Sequence, residues 1–254
     1  RPVELAQETS FRTLPQPGEA VKFSLAFGGG AGYVTEYERM WDTIRSTKPD
    51  LLLMLGDNIY SDDPESGAMQ RFCYYRRQSP PPFRNLVSRT VVYSIWDDHD
   101  FGTNDCSGGP AVDKPAWKRP VWEVYRQNWA NPGYGFGEER PGCWYDFQVG
   151  DVQFFMLDGR CYRDPKGRTM LGPEQKAWLK ERLLASKATI KVMCSPVPFE
   201  YRTKGDSRDT WNGFKEERTV IFDFLTEHNI EGVVLMSADR HRSDAWKIER
   251  PGDY

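Results

Sequence analysis

Six short apolar runs punctuate the chain, at residues 21–27, 51–55, 91–96, 152–157, 190–194 and 233–236. Each has strand length and little polar/apolar alternation, the pattern of strands buried on both faces. Helix-period patterns lie between them. Thr35, with Glu38 three residues on, predicts a capping box, followed by Tyr37, Met40, Trp41 and Ile44 on one apolar face. Pro173 sits just inside a second start, ahead of a stripe of Trp178, Leu179, Leu183 and Leu184. A third helix is predicted over 216–228, with Val220, Ile221, Phe224 and Leu225 inward. Residues 143–157 differ: two strand-like runs meet at Gly150-Asp151, a hairpin signal. Residues 61–148 are rich in Pro, Gly, Trp and Arg and hold the least regular pattern. Strands alternating with helices, plus a hairpin, predict an α/β layered architecture.

Composition narrows the possibilities. The 254 residues are 39% hydrophobic and 28% charged, and no apolar run approaches the roughly 18 residues a bilayer crossing needs, so no transmembrane segment is predicted. Thirty-four basic against thirty-seven acidic residues leave a net charge of −3. That balance predicts no nucleic-acid-binding module and no general attraction to anionic membrane, and leaves room only for a local basic patch. Cys73, Cys106, Cys143, Cys161 and Cys194 include no C-x-x-C pair, which excludes a zinc ribbon or thioredoxin-type site. Their odd number leaves at least one free thiol in a monomer. The chain starts at Arg1 with no charged-then-apolar leader, and the expectation is a processed, trimmed or excised sequence. The opening stretch ends in Pro15-Gln16-Pro17-Gly18 and reads as a linker or an appended edge segment.

The most informative feature is what terminates the strands. Residues 51–55 end in Gly56-Asp57-Asn58, 91–96 in Asp97-Asp98-His99-Asp100, 152–157 in Asp158-Gly159-Arg160, and 233–236 run into Ser237-Ala238-Asp239-Arg240-His241. The carboxyl edge of a layered α/β sheet is where ligands bind. Asp57, Asp97, Asp98, Asp158 and Asp239 gathered there cannot all stay ionised unless something positive sits among them. A cluster of divalent or trivalent cations resolves the repulsion, and carboxylate, imidazole and amide oxygen are suitable ligands. One Asp after a strand is ordinarily a cap or turn residue. Four strands doing the same, two with an adjacent His, point past that explanation. His228, near a helix end, suits the helix dipole instead.

Gly28-Gly29-Gly30 lacks the Lys-Ser/Thr of a Walker loop and is more simply a tight turn than a phosphate cradle. Arg76, Arg77, Arg160, Arg163, Arg240 and Arg242 lie near the acidic motifs, where at least one is expected to recognise an anion while others pair with carboxylates. The Trp and Tyr residues between Trp117 and Tyr145 either floor a cleft or pack the core.

These motifs resemble the alkaline phosphatase D family (PhoD-like metallophosphatases), relatives of the calcineurin-type metallophosphoesterases. The resemblance runs from about Phe11 to the end and rests on 55–60, 96–100 with Asn104, 158–160, 170–172 with Gln175 and 178–179, and 237–241. It implies a layered β-sandwich of two mixed sheets flanked by helices. It also implies that residues 1–18 are a linker or the tail of an absent N-terminal domain, and that 19–254 form a C-terminally incomplete catalytic domain. By the same resemblance Asp57 bridges metals, Tyr60 is a metal-binding phenolate, Asn104 binds metal and phosphate, and Asp239 with His241 forms the late metal motif. Asp98 and His99 fall in the second acidic motif and, with Arg160, are the catalytic candidates. Arg160 is a substrate-touching or supporting residue, and Arg240 a substrate-binding one. The family's Ser-Cys pair after the first strand is replaced here by Phe27-Gly28-Gly29-Gly30. Without that thiolate a ferric site loses a charged ligand, so two ions are implied with calcium ahead of iron, or manganese or zinc.

The implied activity is metal-dependent hydrolysis of a phosphoester, mono- or diester, on a small molecule or a polymer, in the periplasm or secreted. The alternatives are a metal-stabilised phosphate- or glycan-binding protein that has lost catalysis, and a sulfate or phosphonate ester hydrolase at the same site.

Overall fold

A computed structural model describes residue 10 and residues 13–248. Among the described residues seven strands form two sheets. The first holds β1 (Leu25–Gly28), β2 (Leu51–Leu55) and β3 (Val91–Ile95) in that order, parallel throughout. The second holds β4 (Tyr145–Val149), β5 (Val152–Met156), β6 (Ile190–Ser195) and β7 (Val233–Ser237). There β4 and β5 form the predicted antiparallel hairpin, while β6 and β7 add in parallel, so the mixed character lies in this sheet. Parallel neighbours need long crossovers, and the helices supply them: α1 (Met40–Ser46), α2 (Gly67–Gln78), α3 (Pro81–Val87), the short α4 (Asp98–Phe101), α5 (Lys118–Asn128), α6 (Gly172–Ala185) and α7 (Lys215–Glu227).

Side-chain alternation explains why β5 and β6 read as apolar runs, interrupted by Gln153 in one and Lys191 in the other. Phe154, Met156, Val192 and Cys194 face the core shared with Leu51–Leu55 of β2, whereas Phe155, Leu157 and Met193 face α6 and α7 through Leu179, Leu183, Ile221 and Leu225. Both faces are buried, so both carry apolar residues. Within the second sheet Phe154 stacks on its cross-strand partner Phe147 of β4 at 4.7 Å between ring centroids. The aromatic stretch from Trp117 to Tyr145 proves to be largely packing, since Trp122, Tyr125, Trp129, Trp144 and Tyr145 are all buried.

Several local expectations are corrected. The first strand begins only at Leu25, and β1 and β7 are half-buried because each lies at the end of its sheet among the described residues. Glu38 forms no capping box. Its carboxylate is buried, accepts from Trp41 Nε1 at 3.1 Å and pairs with Arg77, a charge-assisted partner that outcompetes a backbone amide. In α7 Phe222 is buried and Val220 exposed, and Leu184 of α6 is exposed too. The register of α7 is set by Glu217, which turns inward to accept from the Met170 and Leu171 amides at 3.1 and 3.2 Å. Of the predicted linker over 1–18, residues 1–9, 11 and 12 lie outside the described residues, as does Phe11. Residues 13–18 run beside the hairpin, where the Gly18 amide donates to Gly150 O at 2.9 Å. All five cysteines are free.

Candidate functional site

Both sheets deliver acids from the ends of their parallel strands, and the backbone there is unusual. Gly56, at φ 105°, lies so close to the next strand that a Cβ would stand 2.6 Å from that of Asp97. Only glycine permits that turn. Asp57 follows at φ 51°, and Asp239 and His241 sit at φ 70° and 49° on the other side of the site. Non-glycine residues in the left-handed region concentrate where geometry is held by function.

Asp57 is the centre. It is 3% exposed, its Oδ2 accepts from the Tyr60 hydroxyl at 3.2 Å, and its Oδ1 is buried with no partner. Burial first, then the charges of Asp97, Asp100 and Asp98, raise its carboxyl far above the ordinary range, and Arg160 offsets only part of that. Tyr60 hydroxyl also lies 3.1 Å from His241 Nε2, so one phenol joins the β2 loop to the β7 loop. Its own acidity is weakened by burial and by Asp57. Ligand atoms of Asp57, Asp98 and His99 lie within 4.8 Å of one another. His99 Nδ1 meets Asp62 Oδ1 at 2.5 Å, and its ring packs 4.4 Å from that of Tyr60. Asp239 Oδ1 accepts from Lys204 Nζ at 2.8 Å, while its Oδ2 is buried and unpartnered.

Behind this face lies a layer of buried ion pairs. Arg160 is fully buried and spends its fork on Asp97 through Nε, on Asp209 Oδ1 and Oδ2 at 2.6 and 2.9 Å, and on Cys106 O at 3.3 Å. Asp98 Oδ1 is 3.5 Å from Arg160 Nη2. Arg163 reaches the same Asp209 and donates from Nε to Gly159 O at 2.8 Å. Of the two roles the resemblance allows Arg160, this burial supports the supporting one and leaves no donor to meet a substrate. Burial alone would raise Asp209, but Arg160 and Arg163 outweigh it and hold its carboxyl below the usual range. Burial also raises Asp97, with Arg160 pulling the other way.

The structure does not bring every strand-end acid to this face. Asp158 is fully buried and accepts from Trp96 Nε1 at 2.8 Å and from the Arg160, Cys161 and Cys143 amides at 2.9 Å each. Gln175 of α6 clamps its backbone in both directions at 2.8 Å. Asp100 is likewise consumed by the Asn58, Ile59 and Asp97 amides, and burial pushes its carboxyl up to about 6. Both acids are latches. Asn104 stands exposed beside Asp105, whose amide donates to Asp98 Oδ2 at 2.6 Å. Arg240 is half-buried with its Nε shielded and unpartnered.

Asp209, Lys204 and Asp62 carry no strand-end signal and are visible only in the folded chain. The glycine run is explained by contact: at Gly29 a Cβ would stand 2.5 Å from that of Ala238, and at Gly30 (φ 71°) it would stand 2.4 Å from the His241 ring. These glycines let the β7 loop close over the end of β1.

The sequence profile of the PhoD-like phosphatase family matches residues 25–253. Alkaline phosphatase D of Bacillus subtilis (strain 168) is 25% identical over 292 aligned positions, covering 94% of this chain and 49% of the relative. A solved structure described as that of PhoD superposes with a TM-score of 0.75 at 21% identity, covering 92% of this chain and 54% of the other. The chain thus spans about half the length of each. Among the described residues no helix is long and apolar enough to cross a membrane.

Proposed function

The chain belongs to the PhoD-like phosphatase family, and from that premise we propose that it is a cation-dependent phosphoester hydrolase working at the joint edge of its two sheets. The observation that carries this reading is Asp57: a buried carboxyl, with one oxygen unpartnered, whose surroundings make it unable to hold its charge unaided. The unpartnered buried oxygens of Asp97 and Asp239 add to it. Such atoms stay bare in folded proteins only where something else completes them.

The residues present fit cations of oxygen- and nitrogen-loving type. Asp57 and Asp98 would contribute on one side, and Asp57, Tyr60, Asp239 and His241 on the other. The thiolate that the family resemblance places after β1 is replaced by glycine at residues 28–30, and this favours calcium, manganese or zinc over iron. Two ions suit this donor set. When bound, such ions supply positive charge against phosphoryl oxygens and make water more acidic.

The chain's own groups do the rest. Asn104, exposed at the rim, and Arg240, with a donor to spare, would hold non-bridging oxygens as charge redistributes. His99, oriented by Asp62 at its Nδ1, would pass a proton to the leaving-group oxygen. Asp98 would set the local charge beside it, with its Oδ2 fixed by the Asp105 amide. Arg160 would position Asp97 and Asp98 without touching substrate. We place the working unit at 19–254 and its site of action outside the cytoplasm, periplasmic or secreted, to be checked by fractionating the native host.

The decisive experiment is elemental analysis beside turnover of a chromogenic diester, for the protein and for Asp57→Ala. Two equivalents of metal with measurable turnover, both lost in the variant, are expected. Metal retained without turnover on phosphate or sulfate esters would favour a binding protein, and turnover unchanged in Asp57→Ala would overturn the site.

A further inference from the structure

Two adjacent arginines of α2 meet different fates. Arg77 is buried, paired with Glu38, and donates to Ala31 O at 3.0 Å. Arg76 has no carboxylate partner among the described residues. Its Nη2 reaches only the Cys73 thiol, at 3.9 Å, and its Nε is shielded from water with no acceptor. The guanidinium lies 5.5 Å from the Tyr33 ring centroid and 5.6 Å from that of Phe72. Two aromatic faces hold a planar cation by its charge and its stacking surface. An ordinary surface arginine extends into water or finds a carboxylate; this one keeps a donor out of water that no group of the protein satisfies.

Its place matters as much as its state. The Cys73 thiol that Arg76 touches is itself 3.8 Å from Tyr60 O. Gly32, next to Tyr33, packs so closely on the Tyr60 ring that a Cβ there would stand 3.2 Å from it. The Arg76 platform is therefore the layer next to Tyr60, which contacts both Asp57 and His241. Asp62, which follows Tyr60 by two residues, has its carboxylate engaged by His99. Tyr33 and Phe72 remain 37% and 54% exposed, so the platform is open to a ligand.

We propose that Arg76, held between Tyr33 and Phe72, binds a second anionic group of the substrate, so that the preferred substrates are phosphoesters bearing another phosphate, phosphonate or carboxylate near the scissile phosphorus. This rests on the phosphoester-hydrolase reading above. It adds a specificity determinant outside the cation-binding residues, recognising charge by a bidentate guanidinium contact.

The test compares two chromogenic diesters that differ only in whether the non-chromogenic arm ends in a methyl group or a phosphonate. The protein should favour the phosphonate arm in kcat/KM by tenfold or more. Arg76→Met should bring that ratio close to one, and Arg76→Lys, which keeps the charge but not the fork, should fall between. A protein with no preference, or Arg76→Met with the preference intact, overturns the proposal. If the protein hydrolyses neither diester, the hydrolase reading fails, and calorimetric titration with methylenediphosphonate against methylphosphonate decides the matter for Arg76. A preference for the bisphosphonate that disappears in Arg76→Met upholds the anion subsite, and equal binding by both proteins rejects it. Unchanged melting of Arg76→Met and Arg76→Lys in circular dichroism shows that any loss is local.

Discussion

Asp209 sits between two buried guanidinium groups, those of Arg160 and Arg163, which also span Asp97 and Gly159. Its carboxyl is held below the usual range, so the unfolded chain binds more protons than the folded one in acid. The stability it contributes is present above the unfolded value of about 3.9 and is lost as pH falls through the folded one. Urea unfolding followed from neutral pH into acid should show this decline in the wild type and a flatter one in Asp209→Asn. The same variant should lose about 3–5 kcal/mol at neutral pH, because Arg163 is left buried without its carboxylate and Arg160 keeps only Asp97 and Asp98. Identical acid slopes in the two proteins would remove Asp209 from this role. Asp57 and Asp98 were legible because each ends an apolar run. Asp209 was not, because its partner Arg160 lies 49 positions away and neither residue's local context differs from that of a surface charge.

At the scale of elements, the site is a meeting of strand exits. The β1 exit and the β7 loop approach at Gly29 and Gly30, and the β2 and β3 exits at Gly56. Gly30→Ala would place a methyl group into the His241 ring at a backbone angle that L-residues avoid. His241 would then leave Tyr60, and cation affinity, read by titration against a chelator, should fall at least tenfold. Gly28→Ala is the matched control: it has open space around its Cβ position and no positive φ, so its affinity should stay within about twofold. Equal losses from both would mean that the run acts through chain flexibility rather than through the His241 contact. The run was readable as a turn. Why it must be glycine was not, since Ala238 and His241, the side chains that crowd it, come from more than 200 positions away.

For the whole molecule, the core that β2 and β5 share joins the two sheets into one body, with Phe154 stacked on Phe147 and edge-on to Phe23. Phe154→Ala should cost about 3–5 kcal/mol of stability. Since the acids stand on strands from both sheets, tryptophan fluorescence and bound cation should be lost in one transition on heating, in wild type and variant alike. Two separated transitions would show that the sheets fold and fail independently.

The chain's hydrophobic pattern alone determined the placement of β2, β3, the β4–β5 hairpin and β6, and the two long helices after residue 170, because burial on both faces leaves unbroken apolar runs that no surface strand can carry. The motifs that follow those runs carried the resemblance to the PhoD-like phosphatase family, to which the chain belongs. Only the tertiary structure sorted the strand-end acids. Asp57 and Asp98 come together with His99 and Asp239 keeps a buried oxygen unpartnered, while Asp158 and Asp100 are spent on backbone amides. Strand ends read alike in one dimension. Whether a carboxylate there meets amides, a guanidinium or nothing at all depends on groups contributed by distant segments, and those meet only once the two sheets have packed.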